Sequence, residues 1–163
     1  MGTRVTGDEW PHGGPYRYLL TRRWGPDRVV CFIMLNPSTA TAEQDDPTVT
    51  RCRGFARREG CGGMVIVNLF GLRSPSPRML LYHPEPIGPS NDETVFAQAG
   101  QANIAVAAWG TAGSQPRLAS RRDKVEAALS GISLWCLGTT KAGEPRHPLM
   151  ARTETPLIPW EAR

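Results

Sequence analysis

Four short apolar runs constrain this chain more than anything else in it: VVCFIML (29–35), MVIVNLF (64–70), IAVAAW (104–109) and SLWCLG (133–138). Each has strand length and lacks the apolar–polar alternation of a half-exposed strand. Runs of this kind fit strands buried on both faces of a sheet. Helical patterns lie between them. Asp46 is a natural N-cap, Pro47 suits the first helical position, and Val49, Cys52, Phe55 and Ala56 follow at helical spacing up to a stop at Gly60. Ser90 with Glu93 reads as a capping box opening a helix to about Ala102, and a further helix falls near 118–130. Residues 16–24 (YRYLLTRRW) read as a strand, and the turn GPDR at 25–28 joins them to 29–35 as an antiparallel hairpin.

Apolar strands alternating with amphipathic helices require a parallel sheet covered on both sides. The expected fold is therefore α/β: a three-layer α/β/α domain with a four-stranded parallel sheet plus an N-terminal hairpin strand. It spans residues 1–163 as one domain, with a loose N-terminus at 1–14, a long ordered loop at 71–90 and an irregular Pro-rich segment at 139–163. The 17 Gly and 15 Pro exclude a coiled coil or long helical bundle. No apolar stretch is long enough for a membrane span, and the start MGTRVTGDEWPHGG has no signal-like apolar core. Cys31, Cys52, Cys61 and Cys136 form no C-x-x-C pair, so the expected setting is a reducing cytoplasm with free thiols.

Ligands of open α/β sheets bind outside the carboxyl ends of the strands. Read there, the first run closes on Leu35-Asn36-Pro37-Ser38, the second on Asn68, the third on Trp109-Gly110-Thr111, and the chain beyond the fourth reaches Arg146-His147-Pro148-Leu149. Taken singly, Asn36 before Pro37 is a turn signal and His147 a loop histidine. Asn68 is odder, because an amide in an apolar strand costs about 1–3 kcal/mol unless it is hydrogen-bonded. Together the three define one expected site. No metal is expected: Glu43, Asp45 and Asp46 have no histidine at ligand spacing, and Asp46 is used as a cap. No cofactor is expected either, because neither a dinucleotide fingerprint nor a Walker A motif is present. The net charge of +4 is compatible with a polyanionic partner. Arginines cluster at Arg51, Arg53, Arg57 and Arg58, and again at Arg117, Arg121 and Arg122 with Lys124, as solvated helix faces or phosphate contacts.

The ordered series LNPS, VNLF, AVAAWG, HPL resembles the uracil-DNA glycosylase superfamily between Val29 and Met150. The whole chain is more closely similar to a small bacterial and phage family known as a domain of unknown function, with NPSTA, DDPT, NLF, WG and HPL motifs. The first resemblance implies a glycosylase excising a damaged or modified, uracil-like base from single- or double-stranded DNA. It implies that Asn36 positions water, His147 stabilises the leaving base and Asn68 reads the base edge. Phe55 or Phe70 would stack on the flipped base and Leu149 or Met150 would wedge the stack. Ser38, Arg51, Arg57, Arg58, Lys141 and Arg146 would contact the DNA backbone. The expected protein is a monomer. Two other readings stay open: an N-glycosidase or hydrolase of free nucleosides or nucleotides, and a non-catalytic nucleic-acid-binding module.

Overall fold

The computed structural model describes residues 4–111 and 115–162. Its centre is one mixed sheet of seven strands: β1 (Thr6–Trp10), β2 (Leu19–Arg23), β3 (Val29–Met34), β4 (Gly63–Asn68), β5 (Ile104–Ala107), β6 (Leu134–Cys136) and β7 (Ile158–Pro159). The spatial order is β1-β2-β4-β3-β5-β6-β7. The helices are α1 (Pro47–Arg58), α2 (Met79–Tyr82), α3 (Asn91–Gln101) and α4 (Pro116–Ala128), with a 3-10 turn at Pro148–Met150.

The sheet corrects the four-stranded expectation. The four apolar runs do lie parallel and adjacent, as β4, β3, β5 and β6. Antiparallel strands extend the sheet on both edges: β2 on β4, β1 on β2, and β7 on β6. Residues 6–10, expected in a loose N-terminus, form β1, and the segment expected to be irregular after 139 supplies β7. The β2–β3 hairpin does not form. Both edges of β3 are taken by β4 and β5, so β2 pairs with β4, Leu20 opposite Ile66. The turn between β2 and β3 instead closes over Gly62. The N–H groups of Trp24 and Gly25 both donate to the Gly62 carbonyl, at 2.9 and 2.8 Å. A side chain on Gly62 would lie 2.8 Å from the Gly25 backbone, so this close approach requires glycine.

Alternate residues of β3 face different cores. Val30, Phe32 and Met34 pack with Val49, Cys52, Phe55 and Ala56 of α1. Cys31 and Ile33 pack with Val95 and Ala99 of α3 and with Val125 of α4. The sheet is thus covered on both faces, and the long apolar runs are what a two-sided strand needs. The Asp46 cap forms as expected: its Oδ1 accepts from the Val49 N–H at 2.8 Å, with Pro47 opening α1. The expected capping box at α3 does not form; the Ser90 side chain makes no cap, and its carbonyl accepts from the Thr94 hydroxyl instead. The loop expected at 71–90 contains the short helix α2. No described helix is long and apolar enough to cross a membrane.

From β3 the chain steps outward through α1 to β4, then returns through α3 to β5 on the other side of β3. Neighbouring connections therefore leave the carboxyl ends of β3 and β5 in opposite directions. Such a switch point opens a crevice.

Candidate functional site

A cavity of about 320 Å³ occupies this crevice. Asn36 enters it just after β3, Asn68 at the last residue of β4, Trp109 and Gly110 just after β5, and His147 from the C-terminal segment. Arg17, Ser38, Asp46 and Ser74 complete its polar wall. The fold thus brings Asn36, Asn68, His147 and Ser38 to one place.

The Asn36 amide is committed to the loop. Its Nδ2 donates to the carbonyls of Ser74 at 2.9 Å and Pro37 at 3.0 Å, tying residue 74 over the end of β3. Asn68 is 2% exposed, and its Oδ1 is buried without a partner among the described residues. Its backbone carbonyl is occupied, accepting from Asn91 Nδ2 at 2.9 Å. A buried acceptor is costly unless a donor reaches it.

His147 sits where its backbone turns into the 3-10 segment. Its Nδ1 accepts from the Leu149 N–H at 3.2 Å, so the neutral ring carries its proton on Nε2. Burial lowers its pKa from the usual value, and the Asp46 carboxylate pulls weakly the other way. Gly110 makes room for this ring. It has φ +69°, and a Cβ there would stand 3.3 Å from the His147 Cβ. Trp109 is 1% exposed and is held by its Nε1 donating to Glu144 Oε2 at 3.1 Å. Glu144 in turn pairs with Arg122.

Two charged residues outside the expected site set, Asp46 and Arg17, also stand in the wall. Asp46 caps α1 and at the same time faces the cavity. Its neighbour Asp45 is structural, bridging Arg22 at 2.8 Å and Arg53 at 2.9 Å. Arg17 is 3% exposed and donates from Nη1 to the Ala40 carbonyl. Burial, reinforced by Arg73, pushes its pKa down to about 10. The only sequence signal for Arg17 is one charge inside the run YRYLL.

Other expected site residues lie elsewhere. Phe55 and Phe70 do not line this cavity. They are 2% and 1% exposed and belong to the cores on opposite faces of the sheet. Phe55 packs under Arg58, whose guanidinium lies 5.0 Å from the ring. The α1 arginines are also engaged within the chain. Arg51 donates to the Ala151 carbonyl at 2.7 Å, Arg58 donates to the Thr153 carbonyl at 3.0 Å and pairs with Glu59, and Arg57 lies 5.2 Å over Trp24. They dock the C-terminal segment and the 24–28 turn onto α1. Lys141 and Arg146 are exposed, Arg146 donating to the Thr139 carbonyl. Leu149 and Met150 follow His147 and are 42% and 73% exposed. A second, larger hollow of about 650 Å³ runs between α1 and the C-terminal segment, lined by Asp46, Arg51, Phe55 and Leu149 among others.

Fold and site together define an α/β sheet protein with a small cavity, lined by apolar and polar side chains, at the carboxyl edge of its parallel strands. The chain belongs to the family described as "Protein of unknown function (DUF1643)", which matches residues 17–149. That span begins at Arg17 and contains every residue of the cavity wall. No curated protein and no solved structure matches the chain. Among the described residues no group of three His, Cys, Asp or Glu side chains is arranged to hold a metal ion.

Proposed function

We propose that the cavity hydrolyses an N-glycosidic bond, releasing a uracil-like damaged or modified base from DNA as the uracil-DNA glycosylases do. One observation carries the reading: a neutral donor, His147, and an unpartnered buried acceptor, Asn68 Oδ1, line the same cavity of about 320 Å³. That volume suits a small ligand. The base edge carries its own acceptors and N–H donors, which these two groups complement. As the bond from C1′ to the base breaks, negative charge grows on the base and positive charge on the sugar. His147 Nε2–H donates to the departing base. The Asp46 carboxylate faces the developing sugar cation and takes a proton from the water that captures it. Asn36 keeps the rim in shape by holding the Ser74 loop. The exposed Leu149 and Met150, next to His147, are suited to fill the gap left by a flipped nucleotide.

A panel of labelled oligonucleotides bearing uracil, hypoxanthine, xanthine and modified pyrimidines tests this. Strand breaks that appear only after alkali are the expected result; an intact panel removes the glycosylase reading. A second reading is favoured by the arginines of α1. Because Arg51 and Arg58 are spent inside the chain, the substrate in that reading is a free nucleoside or nucleotide. Chromatography of free nucleosides and nucleotides after incubation distinguishes the two.

A further inference from the structure

We infer that Arg17 is the phosphate-recognition residue of this cavity, so that its ligand is a nucleotide unit and not a bare base or nucleoside. The inference deepens the proposed reading and rests on it for the base half of the ligand.

Arg17 sits at the β2 side of the cavity and His147 at the β5 side, with Asn68 of β4 between them in sheet order. Arg17 is 3% exposed, yet no carboxylate among the described residues stands within ion-pair distance of its guanidinium; Glu9 and Asp46 act on it only from further away. Its one hydrogen bond among those residues goes to a neutral carbonyl, that of Ala40. The other buried arginines differ. Arg22 is paired with Asp45, and Arg121 with Asp92. Nearby Arg73 is paired with Glu9, so that carboxylate is already used. A buried cation with no carboxylate in direct contact is only partly compensated, and an anion that reaches it completes the compensation. Arginine's planar fork matches phosphate oxygens in particular. The unpartnered Asn68 Oδ1, buried in the wall of the same cavity, is a second, independent sign of a ligand site. The anion that accompanies a nucleobase in one covalent unit is phosphate, present both in a free mononucleotide and in a polynucleotide backbone.

Binding is measured on the full chain by thermal shift and titration calorimetry, apart from any turnover. The probes are inorganic phosphate, nucleoside 5′-monophosphates, the matching nucleosides and a lesion-free single-stranded oligonucleotide. Wild type should bind at least one phosphate-bearing probe, and the nucleosides at least tenfold more weakly. Saturation by mononucleotides alone assigns a free nucleotide; saturation by the oligonucleotide assigns a backbone phosphate. Arg17→Gln should weaken the phosphate-bearing probe about 10- to 100-fold, as loss of a charged hydrogen-bond partner does. Ser38→Glu adds a second carboxylate to a wall that already holds Asp46 and should weaken phosphate binding at least tenfold even if Arg17→Gln does not fold. Phosphate binding unchanged in a folded Arg17→Gln or in Ser38→Glu overturns the inference, as does a wild type that binds no phosphate probe. Phosphate binding without base release keeps the inference and removes the hydrolase reading. Base release with an unchanged KM in Arg17→Gln does the reverse.

Discussion

Asn68 and its neighbour Asn91 separate what the site needs from what the fold needs. Asn91 Nδ2 ties down two strand-end carbonyls, those of Asn68 at 2.9 Å and Leu69 at 3.1 Å. Asn68 Oδ1 ties down nothing. Asn91 Oδ1 is likewise buried without a partner among the described residues, so the two Nδ2 bonds make the difference, and Asn91→Ala should cost about 2 kcal/mol in urea unfolding. Asn68→Ala should stay within about 1 kcal/mol of wild type, because it removes an unsatisfied polar atom along with some packing. Its ligand binding should nonetheless be lost; an Asn68→Ala protein that binds normally would make the amide a passenger. His147 gives a pH signature. Burial holds its folded pKa below the ordinary value near 6.5. As pH falls, the unfolded chain takes up the proton first. The stabilisation is therefore complete above about pH 6.5 and is lost as pH drops from there through the folded value. In His147→Gln the unfolding free energy should lose this part of its slope below about pH 6.5, while other groups keep theirs.

At the scale of elements, local chemistry was readable wherever one residue decides one feature. The Asp46–Pro47 start of α1 and its buried stripe Val49, Cys52, Phe55 and Ala56 follow directly from cap chemistry and helical spacing. The pairing of β2 was not readable. A short turn favours a hairpin, but competition for β3 is settled by β5, which lies 74 residues further on (Val30 opposite Ile104). The α3 cap failed similarly, since the Ser90 and Glu93 pattern is permissive and not binding. Asp46 itself carries two jobs that substitution can split. Asp46→Ala removes the cap and should cost about 1 kcal/mol of stability. Asp46→Ser keeps a capping oxygen and should unfold nearly as wild type does. If the carboxylate faces the sugar cation, Asp46→Ser should still slow single-turnover base release at least about tenfold, because charge stabilisation is lost with the cap preserved. Equal rates for Asp46→Ser and wild type would confine Asp46 to its capping role.

For the whole molecule, the rim of the sheet was legible because the strand-end rule needs only the order of apolar runs, and it put Asn36, Asn68 and His147 in one cavity. Arg17 escaped it. It precedes β2, a strand that reaches the cavity only through its unforeseen pairing with β4, and no motif marks it. The basic surface was misjudged for the opposite reason: a cluster of arginines in sequence says nothing about which carbonyls they meet. Arg51 and Arg58 hold the C-terminal segment, and with it the turn that carries His147, against α1. Lys141 and Arg146 are exposed in the segment that leads to His147 and are the candidate contacts for DNA phosphates. If the substrate is DNA, each such phosphate contact contributes about −0.9 to the slope of log affinity against log salt. Lys141→Ala and Arg146→Ala should each make that slope shallower by about 1, with little change in unfolding free energy. Arg51→Ala should do the reverse, lowering the unfolding midpoint and leaving the slope unchanged. A DNA affinity indifferent to salt in wild type, or a slope that responds to Arg51 and not to Lys141 or Arg146, would rule out this surface as the DNA track and leave the free nucleotide as the substrate.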